Sequence, residues 1–241
     1  MRRRFFVNQF EHQRAVMEGE KAHHLGRVLR AQAGQLYELS DGSRVYLGRI
    51  EAVARDRVEF ALLEELPANE LALRTTLLIS VVKFDSFEWA IEKATELGVS
   101  DIVPLAAARS EKGLLAAAEK RAERWEKIIL EAAQQSRRVG LPTLQPVIKP
   151  GLAFAARGDR LGIFLSERAT APSLRKVLQA QTATSTSGVL LAIGPEGGWT
   201  DDECDAAASA GLRETSLGSL ILRTETAVVA SLGAIRYALD A

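Results

Sequence analysis

The 241-residue sequence has a single cysteine, Cys204, so no intrachain disulfide can form, which fits a reducing cytoplasm. No histidine stands near Cys204 in sequence, so a small semi-buried residue is expected there rather than a nucleophile. No apolar run approaches the roughly 18 residues that a membrane helix needs. The opening MRRRFFVNQF also lacks the apolar stretch of a signal peptide, so no membrane partner is expected. There is no net charge: 31 Lys and Arg balance 31 Asp and Glu, with eleven of each through Glu70 and twenty of each beyond it. Bulk electrostatics therefore gives no support for nucleic-acid binding. Any such role must rest on local clusters, of which RRR at 2–4 and SRR at 136–138 are the clearest. Two glycine spellings are also missing. Neither the dinucleotide pattern G-x-G-x-x-G nor the triphosphate pattern G-x-x-x-x-G-K-[ST] occurs.

What is there divides in two. The composition, 47% hydrophobic and 26% charged, is that of a globular chain. Up to about Leu66 the sequence carries short β-type runs, QLYELSDG, SRVYLGRIEAV and RVEFALLEEL, interrupted by one short helix around EKAHHLGRVLR. This reads as a small β-rich domain or barrel over residues 1–68, closed by the polar, proline-containing joint PANE at 67–70. From Leu71 to the end, residues 71–241, strands and helices alternate. TTLLISVVK is a continuous apolar run, as expected of a strand covered on both faces. SFEWAIEKATELG places Phe87, Ala90, Ile91, Ala94 and Leu97 on one helical face. LLAAAEKRAERWEKIILEAAQQS reads as one long helix with Trp125, Ile128, Ile129 and Ala132 inward. RLGIFLSE, GVLLAIG and ETSLGS are later strands. The pattern is that of a parallel α/β sheet.

Ligands of such sheets bind beyond the carboxyl ends of the strands. Three loops fit: FLSER, IGPEGGWT and SLGSLILRTE. In the second, Pro195 stiffens the turn while Gly194, Gly197 and Gly198 allow close backbone approach or positive φ. Thr200 and Glu203 have capping-box spacing for the helix that follows. Glu196 inside the turn, and two Asp behind it, disfavour a polyanion and suit a ligand with positive charge or N–H and hydroxyl donors. The turn alone is equally consistent with a tight connection. In the third loop Thr224 or Thr226 is placed to cap a helix, and Arg223 and Glu225 either pair on a surface or orient a substrate.

LLAIGPEGGWTDDE and LGSLILRTETA, with WAIEKATELGVSDIVPL and EAAQQSRR upstream, resemble the RsmE family of 16S ribosomal RNA uracil-N3 methyltransferases, part of the SPOUT superfamily. HHLGRVLR and ELSDG resemble that family's N-terminal domain, so the likeness spans nearly the whole chain. The resemblance implies an α/β SPOUT methyltransferase domain with a C-terminal trefoil knot, preceded by a PUA-like β-barrel. It also implies a homodimer, S-adenosyl-L-methionine as cofactor, 16S rRNA in the 30S subunit as substrate, and no metal.

The expected cofactor-binding residues are Leu165, Ser166 and Glu167 in the first loop, and Ile193, Gly194, Pro195, Glu196, Gly197 and Gly198 in the second. Leu217, Gly218, Ile221, Leu222, Arg223 and Thr224 complete the set in the third. Arg223 is the candidate stabiliser of a uracil carbonyl, Glu225 its orienting partner, and Gln135 and Arg138 substrate contacts. Arg2, Arg3 and Arg4 are candidate phosphate contacts, with Phe5 and Phe6 read as core, and Arg27 and Arg30 candidate RNA contacts. One departure is visible: the family commonly has a basic residue where this chain has Leu220. Two other readings stay open, another SPOUT RNA methyltransferase (a different position, or ribose 2′-O) and a non-catalytic RNA-binding assembly factor.

Overall fold

A computed structural model describes residues 3–68, 72–181 and 187–239. Two compact units are present. The first comprises the described residues of 1–70 together with 133–141; the second comprises those of 71–132 and 142–241. A single cut near residue 70 therefore does not divide the chain, because the stretch after the long helical region returns to the first unit.

The first unit is built on β1 (Arg4–Phe6), β2 (Phe10–Glu11), β3 (Arg14–Glu18), α1 (Gly19–His23), β4 (Leu36–Ser40), β5 (Val45–Val53) and β6 (Arg57–Leu66). The strands form one six-stranded sheet in the order β1-β4-β5-β6-β3-β2, with β1 parallel to β4 and every other pair antiparallel. Strand alternation sets the core. Val58, Phe60 and Leu62 of β6 point inward, against Leu39, Ile50, Ala15 and Met17. Phe5 is in that core and Phe6 is also buried, as expected from the sequence. At Gly48, where the β5–β6 register shifts, a Cβ would stand 2.5 Å from Leu39 Cδ1. A side chain there would displace Leu39 from the core. Its two edge strands are not hydrogen-bonded to each other, so the expected barrel is open by its ladder. The short helix continues past α1 as a π-helical turn at His24–Val28, burying Ala22 and Leu25.

The second unit contains β7 (Thr75–Ser80), α2 (Phe84–Glu96), β8 (Asp101–Leu105), α3 (Lys112–Ala118), most of α4 (Ala122–Gln135), β9 (Thr143–Leu144), α5 (Pro150–Ala155), β10 (Leu161–Leu165), α6 (Leu174–Gln179), β11 (Val189–Ile193), α7 (Asp201–Ser209), β12 (Arg213–Thr215) and α8 (Thr224–Leu239). All six strands are parallel, in the order β12-β10-β11-β7-β8-β9. Every residue of β7, β10 and β11 is buried, which is why these strands read as unbroken apolar runs. Alternate positions serve opposite faces. Leu77, Ile79, Ile163, Leu191 and Ile193 pack with α2, α4, α6 and α8, whereas Leu78, Val103, Phe164, Leu190 and Ala192 pack with α5 and α7.

The long helix expected over 114–136 is interrupted. A tight 3₁₀ turn at Glu119–Arg121 separates α3 from α4. In this arrangement Arg121 reaches Glu88 (3.4 Å) and lies over the Phe84 ring (4.6 Å), while Trp125 packs on Phe87 at 4.5 Å. Three successive contacts to α2 thus set the phase of the helix after the break. Among the described residues no helix is long and apolar enough to cross a membrane.

Candidate active site

The order of strands reverses between β7 and β11, and the carboxyl ends of β10, β11, β7 and β8 stand beside one another there. Loops leaving those ends form the crevice that open parallel sheets offer to ligands. Three bonds draw the expected segments together. Trp199 Nε1 donates to Leu165 O at 2.8 Å, joining the glycine turn after β11 to the end of β10. Thr224 Oγ1 donates to Gly194 O at 3.1 Å, joining the start of α8 to that turn. Ser166 N donates to Thr215 O at 2.9 Å, joining β10 to β12. The segment after β12 also grips the far foot of the β10–α6 loop. Leu174 N donates to Ser216 O, and Ser216 N to Pro172 O, at 2.9 and 2.8 Å. Leu165 is thus bonded to Trp199 and Gly194 to Thr224, so the glycine turn is tied to the segments on both sides of it.

The glycine turn is held from both sides. Trp199 stacks on Phe164 at 4.8 Å and meets Phe154 edge-on at 5.9 Å, so its indole anchors the turn in the core under β10. A Cβ on Gly194 would lie 2.9 Å from that indole, and Gly198 holds φ at +70°. These two positions demand glycine on steric and conformational grounds respectively. The capping box is present: Thr200 Oγ1 accepts from Glu203 N, and Glu203 Oε2 accepts from Thr200 N at 2.9 Å. Glu203 has a second task. Its Oε1 accepts from Ala108 N at 2.8 Å, and Arg109 Nη1 donates to Gly197 O at 2.8 Å. The loop after β8 is therefore a fourth wall. Sequence reasoning missed Ala108, Arg109 and Trp199, although the rule that pointed to three strand ends applied equally to DIVPLA.

Other expectations need correction. Thr224, the first residue of α8, donates its hydroxyl to Gly194 O, a bond that its spacing did not foretell. Arg223 is exposed, and among the described residues it forms no ion pair with Glu225. Glu225 Oε2 is instead buried with no hydrogen-bond partner, in the first turn of α8, where the helix dipole favours a carboxylate. Leu217 and Leu222 pack against the core as walls, but Ile221 is 78% exposed and its neighbour Leu220 79%. Glu167, Glu196, Gly197 and Gly218 are exposed, Ser166 is half-buried, and Pro195 and Ile193 are buried. Burial pushes the Cys204 thiol up, with Arg168 opposing and Glu214, Asp201 and Asp205 adding, which disfavours the thiolate.

The candidate RNA contacts lie in the first unit. Arg3, Arg27, Arg30 and Gln135 are exposed and Arg138 is half-buried. Arg4 departs from the expectation of a phosphate contact: it is buried and paired with Glu38. Arg2 lies outside the described residues.

Residues 69–236 match a family model described as an RNA methyltransferase domain, and residues 18–63 match one described as an RNA methyltransferase PUA domain. The chain is 36% identical over 226 residues to the ribosomal RNA small subunit methyltransferase E of Synechocystis sp., covering 90% of this chain and 71% of that one. It is 32% identical to the protein of the same name from Bacillus subtilis, covering 91% and 88%. Among solved structures it resembles that of Neisseria gonorrhoeae ribosomal RNA small subunit methyltransferase E bound to S-adenosyl methionine, with a TM-score of 0.87, 29% identity and 98% of each chain covered. It also resembles a Legionella pneumophila methyltransferase in complex with its bound cofactor SAM, with a TM-score of 0.86, 27% identity and 99% and 98% covered. With a parallel sheet whose strand-end loops converge as described, and a domain match over most of its length, this chain belongs to the RNA methyltransferase family, in the branch of the ribosomal RNA small subunit methyltransferase E proteins.

Proposed function

We propose that this chain transfers a methyl group from S-adenosyl-L-methionine to N3 of one uridine in 16S ribosomal RNA, on the small subunit and in the cytoplasm. The observation that carries the reading is the bonding of the glycine turn to Leu165 through Trp199 and to Thr224 through Gly194, in a chain of this family. The residues fit the cofactor. It has no phosphate, and the loops have no phosphate-binding spelling; it carries a cation and N–H donors, and these loops carry the exposed Glu167 and Glu196, with the unpartnered Oε2 of Glu225 in the first turn of α8. Bound there, the cofactor supplies a methyl group on a sulfonium sulfur, a good leaving group.

The protein's task is to position the reactants and balance charge. Backbone at 165–167, 194–198 and 217–224 orients the donor, and Leu217 and Leu222 keep water from it. N3 lies on the pairing edge of uracil, so the base must leave its stack. Its proton must also leave. The exposed guanidinium of Arg223 favours that loss by stabilising negative charge on a uracil carbonyl. Arg27, Arg30, Gln135 and Arg138 contact the RNA.

Two further features of the reading have support. A trefoil knot is consistent with the way the chain after β12 bonds to both feet of the β10–α6 loop. A homodimer would cover Leu220, Ile221 and Tyr237, the last 95% exposed.

Calorimetry with S-adenosylmethionine tests the cofactor, and absence of binding would leave only a non-catalytic RNA-binding role. Mass mapping of 16S rRNA methylated by the purified protein tests the position. A product methylated on ribose, or at another base atom, would reject the N3 assignment.

A further inference from the structure

Arg109 stands in the loop after β8, and in the strand order β12-β10-β11-β7-β8-β9 that strand lies on the opposite side of β11 from β10. From there it reaches the glycine turn. Its Nη1 donates to Gly197 O at 2.8 Å, and a Cβ on Gly197 would stand 3.3 Å from Arg109 Cβ and 3.5 Å from its Cδ. The arginine stem is therefore laid along the turn, with glycine leaving it room. Its own loop is tied down on both sides. Ala108 N donates to Glu203 Oε1 at 2.8 Å, and Ser110 N donates to Ala107 O at 3.0 Å. One N–H of the guanidinium is thus fixed to a braced neighbour, while the residue stays exposed.

Its charge has no counterpart. Arg74, Arg121, Arg124 and Arg168 of the same unit each face a carboxylate. Among the described residues Arg109 forms no ion pair, not even with Glu111 two positions on. An ordinary surface arginine keeps its rotamers in water. This one gives them up for a neutral carbonyl and leaves its remaining N–H groups for a second partner.

Strand order indicates which partner. The expected cofactor residues follow β10, β11 and β12, so the methyl acceptor has to enter from a side that those loops leave open, and β7 and β8 bound such a side. A sulfonium repels a guanidinium. A nucleotide displaced from its stack brings a phosphodiester, whose oxygens a guanidinium fork matches in geometry and charge.

We propose that Arg109 binds the phosphodiester beside the displaced uridine and so seats the target base at the crevice. It is a substrate contact rather than a prop of the glycine turn, and Gly197 O is what aims it. The proposal rests on the methyltransferase reading above.

The test uses the full chain, methyl transfer to 30S subunits, and a fluorescein-labelled 20-nucleotide oligouridine whose binding is followed by anisotropy at stepped salt. Arg109→Met keeps the stem and removes the charge. It should raise KM for 30S subunits about tenfold, as loss of a charged hydrogen bond does, and flatten the slope of log affinity against log salt by about 0.7. Affinity for S-adenosylmethionine by calorimetry and the pH profile of kcat should stay as in wild type. Arg109→Lys should restore the slope. An unaltered slope and KM in Arg109→Met, or in Arg109→Gln if the first variant fails to fold, would overturn the contact. Equal loss of S-adenosylmethionine affinity in the Met and Lys variants would make Arg109 a prop of the turn. A shifted kcat profile with unaltered KM would put its charge on the uracil ring instead. Wild-type protein that transfers no methyl group, yet whose salt slope depends on Arg109, would sink the methyltransferase reading and keep the phosphate contact. Methyl transfer with a slope and KM indifferent to Arg109 would do the reverse.

Discussion

At Gly194 an added Cβ would stand 2.9 Å from the indole of Trp199, the same indole that bonds Leu165 O. Gly194→Ala therefore has to push Trp199 off its acceptor or open the turn. Affinity for S-adenosylmethionine should fall at least tenfold, read by calorimetry, while far-ultraviolet circular dichroism stays native. Trp199→Ala removes the same anchor with its three-ring cluster, and should cost roughly 3 kcal/mol of stability as well, seen in urea unfolding. Arg223 is different because its side chain is exposed and supports no packing. Arg223→Ala should keep the Tm and the cofactor affinity and lose most turnover. Unchanged kcat in that variant would remove Arg223 from the reaction. Gly194 and Arg223 were both visible in sequence, the first as an unusual glycine turn and the second through family resemblance. Trp199 was not, because an indole in a polar loop carries no mark of the carbonyl it will reach.

Among the elements, α7 ties the site to the rest of the sheet. Glu203 closes the capping box with one oxygen and holds Ala108 N with the other. Glu203→Ala should cost about 1–2 kcal/mol, as loss of a cap does, and should also release the loop after β8. The second effect is separable. Thr200→Ala removes the hydroxyl half of the cap but leaves the Ala108 bond, so only Glu203→Ala should speed amide exchange at residues 106–109. Equal exchange in both variants would show that the cap alone matters. The capping box was legible because it is a local pattern of residue types at fixed spacing. The bond to Ala108 spans 95 positions and has no local signature. The 3₁₀ turn before α4 was hidden for a similar reason: Ala, Glu, Lys and Arg favour helix locally, and contacts to Glu88, Phe84 and Phe87 set the break.

The whole molecule has no net charge to draw it to RNA, so its electrostatics are local. We expect the shape of the assembled 30S subunit to supply much of the specificity. Methyl transfer to 30S particles should exceed that to protein-free 16S rRNA by at least tenfold in kcat/KM. Equal rates would assign recognition to sequence alone. The division into units also belongs to this scale. A cut at the PANE joint looks sufficient in sequence, yet residues 133–141 cross back to the first unit and carry Arg137 and Arg138 with them.

The sequence by itself determined what depends on neighbours a few residues away. That includes the alternation of strands and helices, the doubly buried strands, the α7 cap, the glycine turn, and the motif order that marks the family. Only the tertiary structure decided which distant groups meet. It joined Trp199 to Leu165, Thr224 to Gly194 and Arg4 to Arg137, and it left Arg223 and Glu225 apart. The physical reason is that periodicity and spacing encode which face of an element is apolar. Hydrogen bonds between loops depend instead on strand order, and here that order places β12 beyond β10 and brings β11 against β7.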